Sequence, residues 1–328
     1  MLSDSEVSGD LKILAEKLPF LVEKGRATST VAKYDAGWRG WKLWGQSKNL
    51  PTRPGHPFYV ALYLTHLFIE KGNKGCVTTA MYGIRWAHHA VGLQSPTDNN
   101  LVQLTYEGCL RSCPSKKWRK EPFSVELIKK LVDTWGDSEK SLMEHRFIIL
   151  SLLCFAGFFR INELLSVQLK DIKILPEHIE IFLPHVKTDQ HRDGEVVYIA
   201  RTGTKYCPVF NLEIFLLKAK LEIDRDKEAF LIPTLHKTKK GHNASKTRGI
   251  SYSRAYEIFH ENLHVCQIDS SSYGLHSYRA GGTTQASNNG VSERLISKHG
   301  RWSADTSRNG YIKDSKKKRL RVTQSLEL

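Results

Sequence analysis

Tyr34, Trp38 and Trp41 recur at intervals of four and three, so they share one face of a helix. Helical spacing makes that stripe a packing surface rather than a platform for stacked bases. Thr28, Ser29 and Thr30 are the candidate caps at its start. A second apolar helix is predicted from Phe58 to Ile69, entered after Pro57 and left near Gly72. A third is predicted over Asn73 to Val91, with Thr78 and Thr79 as caps and Met81, Ile84 and His88 on its inner face. This first region therefore reads as all-helical. Further on, Ser124 caps a helix through Leu131, and a long apolar helix runs from about Glu144 to Ala156 before Gly157 breaks it. Between His178 and Ala200 the period changes to two, with Ile179, Ile181 and Leu183 on one run and Val196 to Ile199 on the other, which predicts a hairpin. Ser251 and Ser253 then open a helix whose apolar face is Ile258, Phe259 and Leu263.

Length turns this pattern into an expectation of two domains, because 328 residues exceed what one core usually organises. Forty per cent apolar residues and only 11 prolines allow packed cores. The longest apolar stretch, Phe147 to Phe159, is too short to span a bilayer, so no membrane partner is expected. The acidic start, with Asp4, Glu6 and Asp10, lacks the character of a secretion signal, so a reducing compartment without disulfides is expected. Six cysteines are scattered, and Cys109 with Cys113 has no second pair to complete a zinc site.

Charge narrows the partner. The 49 Lys and Arg exceed the 34 Asp and Glu, a formal net charge of +15. The excess is shared: residues 1–121 carry 17 basic and 10 acidic side chains, the remainder 32 and 24. Two basic halves are suited to closing around a phosphate backbone. Arg111, Lys116, Lys117, Arg119 and Lys120 lie between or beside Pro114 and Pro122 without an intervening acid, an expected extended basic connector. On the third helix, Lys74, Tyr82 and Arg85 are candidate DNA contacts, since a helix fits the major groove. A second basic stretch, His236 to Gly249, is expected to be a loop.

The candidate chemistry lies in separate pieces. Arg160 follows the apolar segment directly, at the entrance to a new helix, and its five donors need an anion or carbonyls; Glu163, one turn later, is placed to orient it. Lys187 ends the first strand of the hairpin. His276-Ser277-Tyr278-Arg279, then Gly300-Arg301-Trp302, then Tyr311 follow in order.

Through Arg160 with Ile161 and Glu163, Lys187, His276-x-x-Arg279, Trp302, and Tyr311 nine residues after it, the chain resembles the tyrosine recombinases, or phage-integrase family. The resemblance implies a mainly α fold with a small β-sheet: an all-helical, SAM-like core-binding domain over residues 1–112, a basic linker over 113–122, and an α+β catalytic domain with a C-terminal tail over 123–328. It implies that Arg160 and Arg279 hold the scissile phosphate, that His276 and Trp302 hydrogen-bond to it or pack beside it, that Tyr311 is the nucleophile, and that Lys187 protonates the departing 5′-oxygen, with no cofactor. Ser253-Arg254-Ala255 resembles a helix that meets the major groove in Cre-like members, which makes Arg254 a further DNA-binding candidate. Gly300-Arg301-Trp302 and Lys187-Thr188-Asp189-Gln190 look more like eukaryotic mobile-element recombinases than bacterial Xer proteins. The implied partner is double-stranded DNA with paired half-sites, bound by a homodimer on one site and a homotetramer in the synapse. The implied compartment is the nucleus if the source is eukaryotic, otherwise the cytoplasm. His299, three residues before Trp302, reads as an ordinary helix-end residue. The rival readings are a type IB topoisomerase and a non-catalytic DNA-binding module derived from a mobile element.

Overall fold

The computed structural model describes residues 25–114, 119–136, 141–184, 194–239 and 241–326, with residues 13, 14, 16, 17 and 20. The chain divides into two units, Met1–Lys117 and Trp118–Leu328.

In the first unit, α1 (Thr28–Ser47) packs along α3 (Lys74–His89), and α2 (Pro57–Lys71) packs against α4 (Asn100–Ser112). Trp41 is fully buried, with its Nε1 donating to the carbonyl of Thr52 at 3.0 Å and its ring 5.4 Å from that of Tyr63. Val60, Leu64, Val77, Ile84 and Val102 complete the core. The expected caps are displaced. Thr28, Ser29 and Thr30 lie inside α1, whose N-cap is Ala27. Thr78 and Thr79 lie inside α3, because Asn73 caps it one turn earlier by accepting from Gly75 N at 2.7 Å.

The second unit is built around α6 (Leu142–Ala156), a helix buried on nearly all sides from His145 to Cys154. A helix apolar all round must be covered all round. Against it lie α5 (Val125–Trp135), α8 (Pro208–Ala219), α9 (Tyr252–Val265) and α10 (His276–Asn288). The approach of α10 is close: a β-carbon at Gly281 would run into the carbonyl of Phe123, and one at Gly282 into the carbonyl of Phe155. Glycine is needed at both, and the closeness lets the hydroxyls of Tyr278 and Ser151 meet at 2.9 Å in the core. After α6 come α7 (Ile161–Ser166) and an antiparallel sheet in the order β1 (Ile172–Ile174), β2 (His178–Leu183), β3 (Glu195–Ala200). Ile181 pairs with Ile172 on one side and Val197 on the other.

The stretch expected as a basic loop, His236 to Gly249, is instead part of a second hairpin, β4 (Pro233–Thr238) with β5 (Gly241–Gly249). Its polar sequence conceals one cross-strand pair, Leu235 with Ala244, that rests on the core and fixes the ribbon. The chain ends in α11 (Glu293–Gly300), α12 (Asp305–Asn309) and α13 (Lys316–Gln324). Among the described residues no helix is long and apolar enough to cross a membrane.

Candidate active site

Five of the residues named from the sequence, Arg160, Glu163, Arg279, Trp302 and Tyr311, meet in the second unit. The chain leaves α6 at Gly157 and turns through Phe158, which holds a left-handed backbone conformation (φ 48°). For a phenylalanine this conformation costs about 1–2 kcal/mol, so something must hold it. The ring is buried edge-on against His299 at 4.6 Å, and the carbonyl accepts from two guanidinium groups, those of Arg279 and Arg301 (2.9 Å). The turn delivers Arg160 to the N-cap of α7, where Glu163 Oε2 accepts from Arg160 N at 2.9 Å.

Glu163 is the hub. Its carboxylate is 5% exposed and faces three cations: Arg160 Nη1 at 2.5 Å, Arg301 Nη2 at 3.0 Å and Arg279 Nη1 at 3.9 Å. Burial alone would raise its pKa, but Arg301 and Arg160 outweigh that and hold it below the usual glutamate range. Three guanidiniums against one carboxylate leave the cluster two positive charges in excess.

Arg279 projects from α10 and is fully buried, donating to the carbonyls of Phe158 and Gly300. Its Cζ lies 4.1 Å from the ring centroid of Trp302 and 5.1 Å from that of Tyr311. Burial, then the neighbouring Arg160 and Arg301, push its pKa down to about 9, which still leaves it charged at neutral pH. Arg160 keeps a donor edge open: only Nη1 is engaged among the described residues, and its side chain is 17% exposed.

Trp302 follows the left-handed C-cap Arg301 of α11 and is buried, its indole Nε1 without an acceptor among the described residues. Its ring sits 5.3 Å from that of half-buried Tyr311. Two contacts fix the backbone of Tyr311. Its N–H donates to the carbonyl of Arg308 at 2.9 Å, and its own carbonyl accepts from Thr284 Oγ1 of α10 at 3.2 Å. Arg308 is itself buried and pins α12 to α11 through Glu293 (2.5 Å) and Ser297 Oγ (2.9 Å), with Asp305 of its own helix pairing with it at 2.8 Å.

His276 is the exposed first residue of α10, one turn before Arg279 on the same helix. Lys187, Lys116 and Lys117 lie outside the described residues. Arg119 and Lys120 are exposed, and Lys120 Nζ donates to the carbonyl of Ser271. On α3, Lys74 is exposed, Tyr82 is 43% exposed and stacked on Tyr34, and Arg85 is paired with Asp98 at 3.0 Å. Arg254 is held on its own helix by Glu257 (2.8 Å) and Glu261 (3.2 Å).

Sequence reasoning gave no role to Arg301, Arg308 or Thr284. Arg301 had a signal, its place inside Gly300-Arg301-Trp302, but an arginine's burial is not visible in one sequence. His299 is more embedded than an ordinary helix end: its Nε2 lies 2.8 Å from the carbonyl of Ala156, and burial lowers its pKa, with Arg301 and Arg279 adding to the effect. Among the described residues no group of three or more His, Cys, Asp or Glu is placed to hold a metal ion.

No protein-family model matches the chain. The fold is shared with tyrosine recombinases. The XerH site-specific recombinase, solved with a palindromic difH substrate in a post-cleavage complex, superposes with a TM-score of 0.56 over 83% of this chain and 73% of that one, at 14% identity. The lambda integrase dimer bound to a COC′ core site gives 0.56 over 92% and 76%, at 13% identity. The Tn1549 transposon integrase in complex with circular intermediate DNA gives 0.51 over 84% and 86%, at 12% identity. In sequence, the chain is similar to an integrase/recombinase xerD homolog from Selenomonas ruminantium, 26% identical over 181 residues. That match takes in 54% of this chain and 52% of the relative, so the chain spans about half the length of the curated relative it matches.

Proposed function

We propose that the protein is a tyrosine recombinase, a DNA strand transferase that breaks and rejoins duplex DNA through a covalent 3′-phosphotyrosyl intermediate. The observation that carries this reading is the convergence of Arg160, Arg279 and Arg301 on one buried carboxylate, with Trp302 and Tyr311 laid over Arg279. A site with two uncompensated positive charges and a phenol beside it is suited to a phosphodiester, whose negative charge grows as a nucleophile adds. The open edge of Arg160 takes a non-bridging oxygen directly. Arg279 acts from behind, and bidentate contact requires it to exchange its carbonyl acceptors for phosphate oxygens. The same exchange presents the unpaired indole N–H of Trp302, which can donate but cannot move a proton.

In the proposed step the phenolic oxygen of Tyr311 bonds to phosphorus as the bond to the 5′-oxygen breaks. The phenol's proton passes to a base, with His276 the candidate, and the departing 5′-oxygen takes a proton from Lys187. A phosphotyrosyl ester retains the bond energy, so a 5′-hydroxyl from another strand reverses the step without a nucleotide cofactor. The fit of the fold to XerH, lambda integrase and Tn1549 integrase supports double-stranded DNA as partner, and the proposal extends to a dimer on paired half-sites and a tetramer in the synapse. The Gly300-Arg301-Trp302 and Lys187-Thr188-Asp189-Gln190 motifs support a eukaryotic mobile-element type, which would act in the nucleus, and Ser253-Arg254-Ala255 supports a Cre-like one.

A nicked duplex carrying a site selected from random-sequence DNA tests the proposal. The wild type becomes covalently DNA-linked and Tyr311→Phe does not. Absence of any adduct on a verified binding site overturns catalysis and leaves a binding module. Recombinant junctions between two sites distinguish a recombinase from a type IB topoisomerase, which yields relaxed circles alone.

A further inference from the structure

Arg301 and Arg279 both face Glu163, but they differ in what their donors have left to give. Arg301, whose side chain is 2% exposed, places all four of its terminal N–H groups. Nη1 donates to the carbonyls of His299 at 2.8 Å and Gly157 at 3.2 Å, and Nη2 to the carbonyl of Phe158 at 2.9 Å and to Glu163 Oε2 at 3.0 Å. A phosphate oxygen could reach these nitrogens only by displacing one of those acceptors. Arg279 is the opposite case. Its terminal nitrogens donate to the carbonyls of Phe158 and Gly300, and its Nε is buried with no acceptor among the described residues. Their aromatic neighbours differ too: the rings of Trp302 and Tyr311 lie over Arg279, whereas Arg301 rests 5.2 Å from the ring centroid of Phe159.

The two guanidiniums share one acceptor. The carbonyl of Phe158, at the left-handed turn that delivers Arg160, accepts from both. When Arg279 turns to an anion it gives that carbonyl up, and a buried carbonyl without a donor is costly. Arg301 keeps it satisfied. The same Nη2 keeps hold of Glu163, the carboxylate that fixes Arg160 at both its backbone N–H and its guanidinium.

We propose that Arg301 is a positioning residue of the strand-transfer reaction: it holds the Phe158 turn and Glu163 in place while Arg279 leaves the shared carbonyl for the scissile phosphate, and it does not touch the phosphate itself. The inference rests on the catalytic reading above. It also gives a reason for an arginine at the left-handed end of α11 (φ 58°), where glycine would be unstrained.

That conformation supplies the test. Arg301→Gly removes the guanidinium and relieves the backbone, so the fold loses least, while Arg301→Lys keeps the charge without the planar fork. Circular dichroism melts identify the folded variants. Adduct formation is then timed on the nicked duplex at saturating concentration, beside affinity for the same duplex. An acceptor left open only when Arg279 moves slows the adduct by about tenfold to hundredfold in Arg301→Gly and by less in Arg301→Lys, with affinity within about twofold of wild type. A wild-type rate in the folded glycine variant overturns the inference. So does a loss of affinity as large as the loss of rate in both variants, which marks a structural role alone. If Arg301→Gly does not fold, Arg301→Lys decides by the same split between rate and affinity. Absence of adduct with the wild type sinks the catalytic reading and this inference with it, whereas wild-type adduct with an undiminished rate in Arg301→Gly sinks this inference alone.

Discussion

Replacing Glu163 by glutamine removes one charge and almost no volume, which isolates the electrostatics of the arginine cluster. The carboxylate faces guanidiniums at 2.5, 3.0 and 3.9 Å. At an effective dielectric near 20, contacts in that range are worth about 4–7 kcal/mol of attraction each. Desolvation of the carboxylate offsets much of this, and the net cost of leaving buried partners uncompensated is about 3–5 kcal/mol. The loss falls on Arg301 and Arg279, whose side chains are 2% and 0% exposed, more than on Arg160. For a unit of this size about 2–4 °C of Tm accompanies each kcal/mol, so Glu163→Gln is expected to lower the melting temperature by about 6–20 °C at pH 7. Acid provides an independent check. Because the carboxylate's pKa is depressed in the folded state, its contribution is present above the unfolded value of about 4.3 and is lost as pH falls through the lower folded value. The variant lacks that component, so the gap between the two proteins narrows as the buffer is taken from pH 7 towards 3. Thermal melts followed by circular dichroism measure both. A variant that melts within 2 °C of wild type at pH 7 refutes the hub role of Glu163.

Other consequences are as direct. Gly282→Ala forces a methyl group against the Phe155 carbonyl and is expected to destabilise by about 1–3 kcal/mol in urea unfolding, the cost of overpacking. Thr284→Val removes the hydroxyl that accepts from Lys313 N at 3.1 Å and donates to the Tyr311 carbonyl; stability falls by only about 1 kcal/mol, but adduct formation on the nicked substrate slows while DNA affinity holds. His299 has its pKa lowered by burial, so its contribution is complete above the ordinary histidine value of about 6.5 and is lost as pH falls below it. His299→Gln therefore flattens the decline of stability between pH 7.5 and 5, leaving the share owed to His88, which burial also lowers.

Much of the scaffold was visible as periodicity. The alternation across 178–200 belongs to β2 and β3, and the uninterrupted apolar run to 156 belongs to α6, because burial on one or all sides leaves its mark on composition. Helix starts were less visible. Asn73 and Ala27 begin α3 and α1 where threonine and serine clusters offered competing caps, and local chemistry alone does not choose among adjacent hydroxyls. The β4–β5 ribbon escaped notice because one apolar pair among lysines and threonines is too sparse a pattern. At the site, the residue types were legible from their order along the chain, whereas the convergence of three arginines on Glu163 depends on the left-handed turns at Phe158 and Arg301. Neither residue type advertises positive φ.

Arg308 fastens the segment that carries the phenol to α11, and its anionic partner there, Glu293, is 77% exposed. A latch whose anionic half stands in water answers to its electrolyte, because the Debye length shrinks from about 10 Å at 0.1 M salt to about 3 Å at 1 M. Around Glu163, the guanidiniums of Arg279 and Arg301 are out of water and escape that screening. Brine thus loosens the arm that bears the proposed nucleophile before it disturbs the cradle proposed for the phosphate, and the two parts of the candidate site respond on different ionic-strength scales.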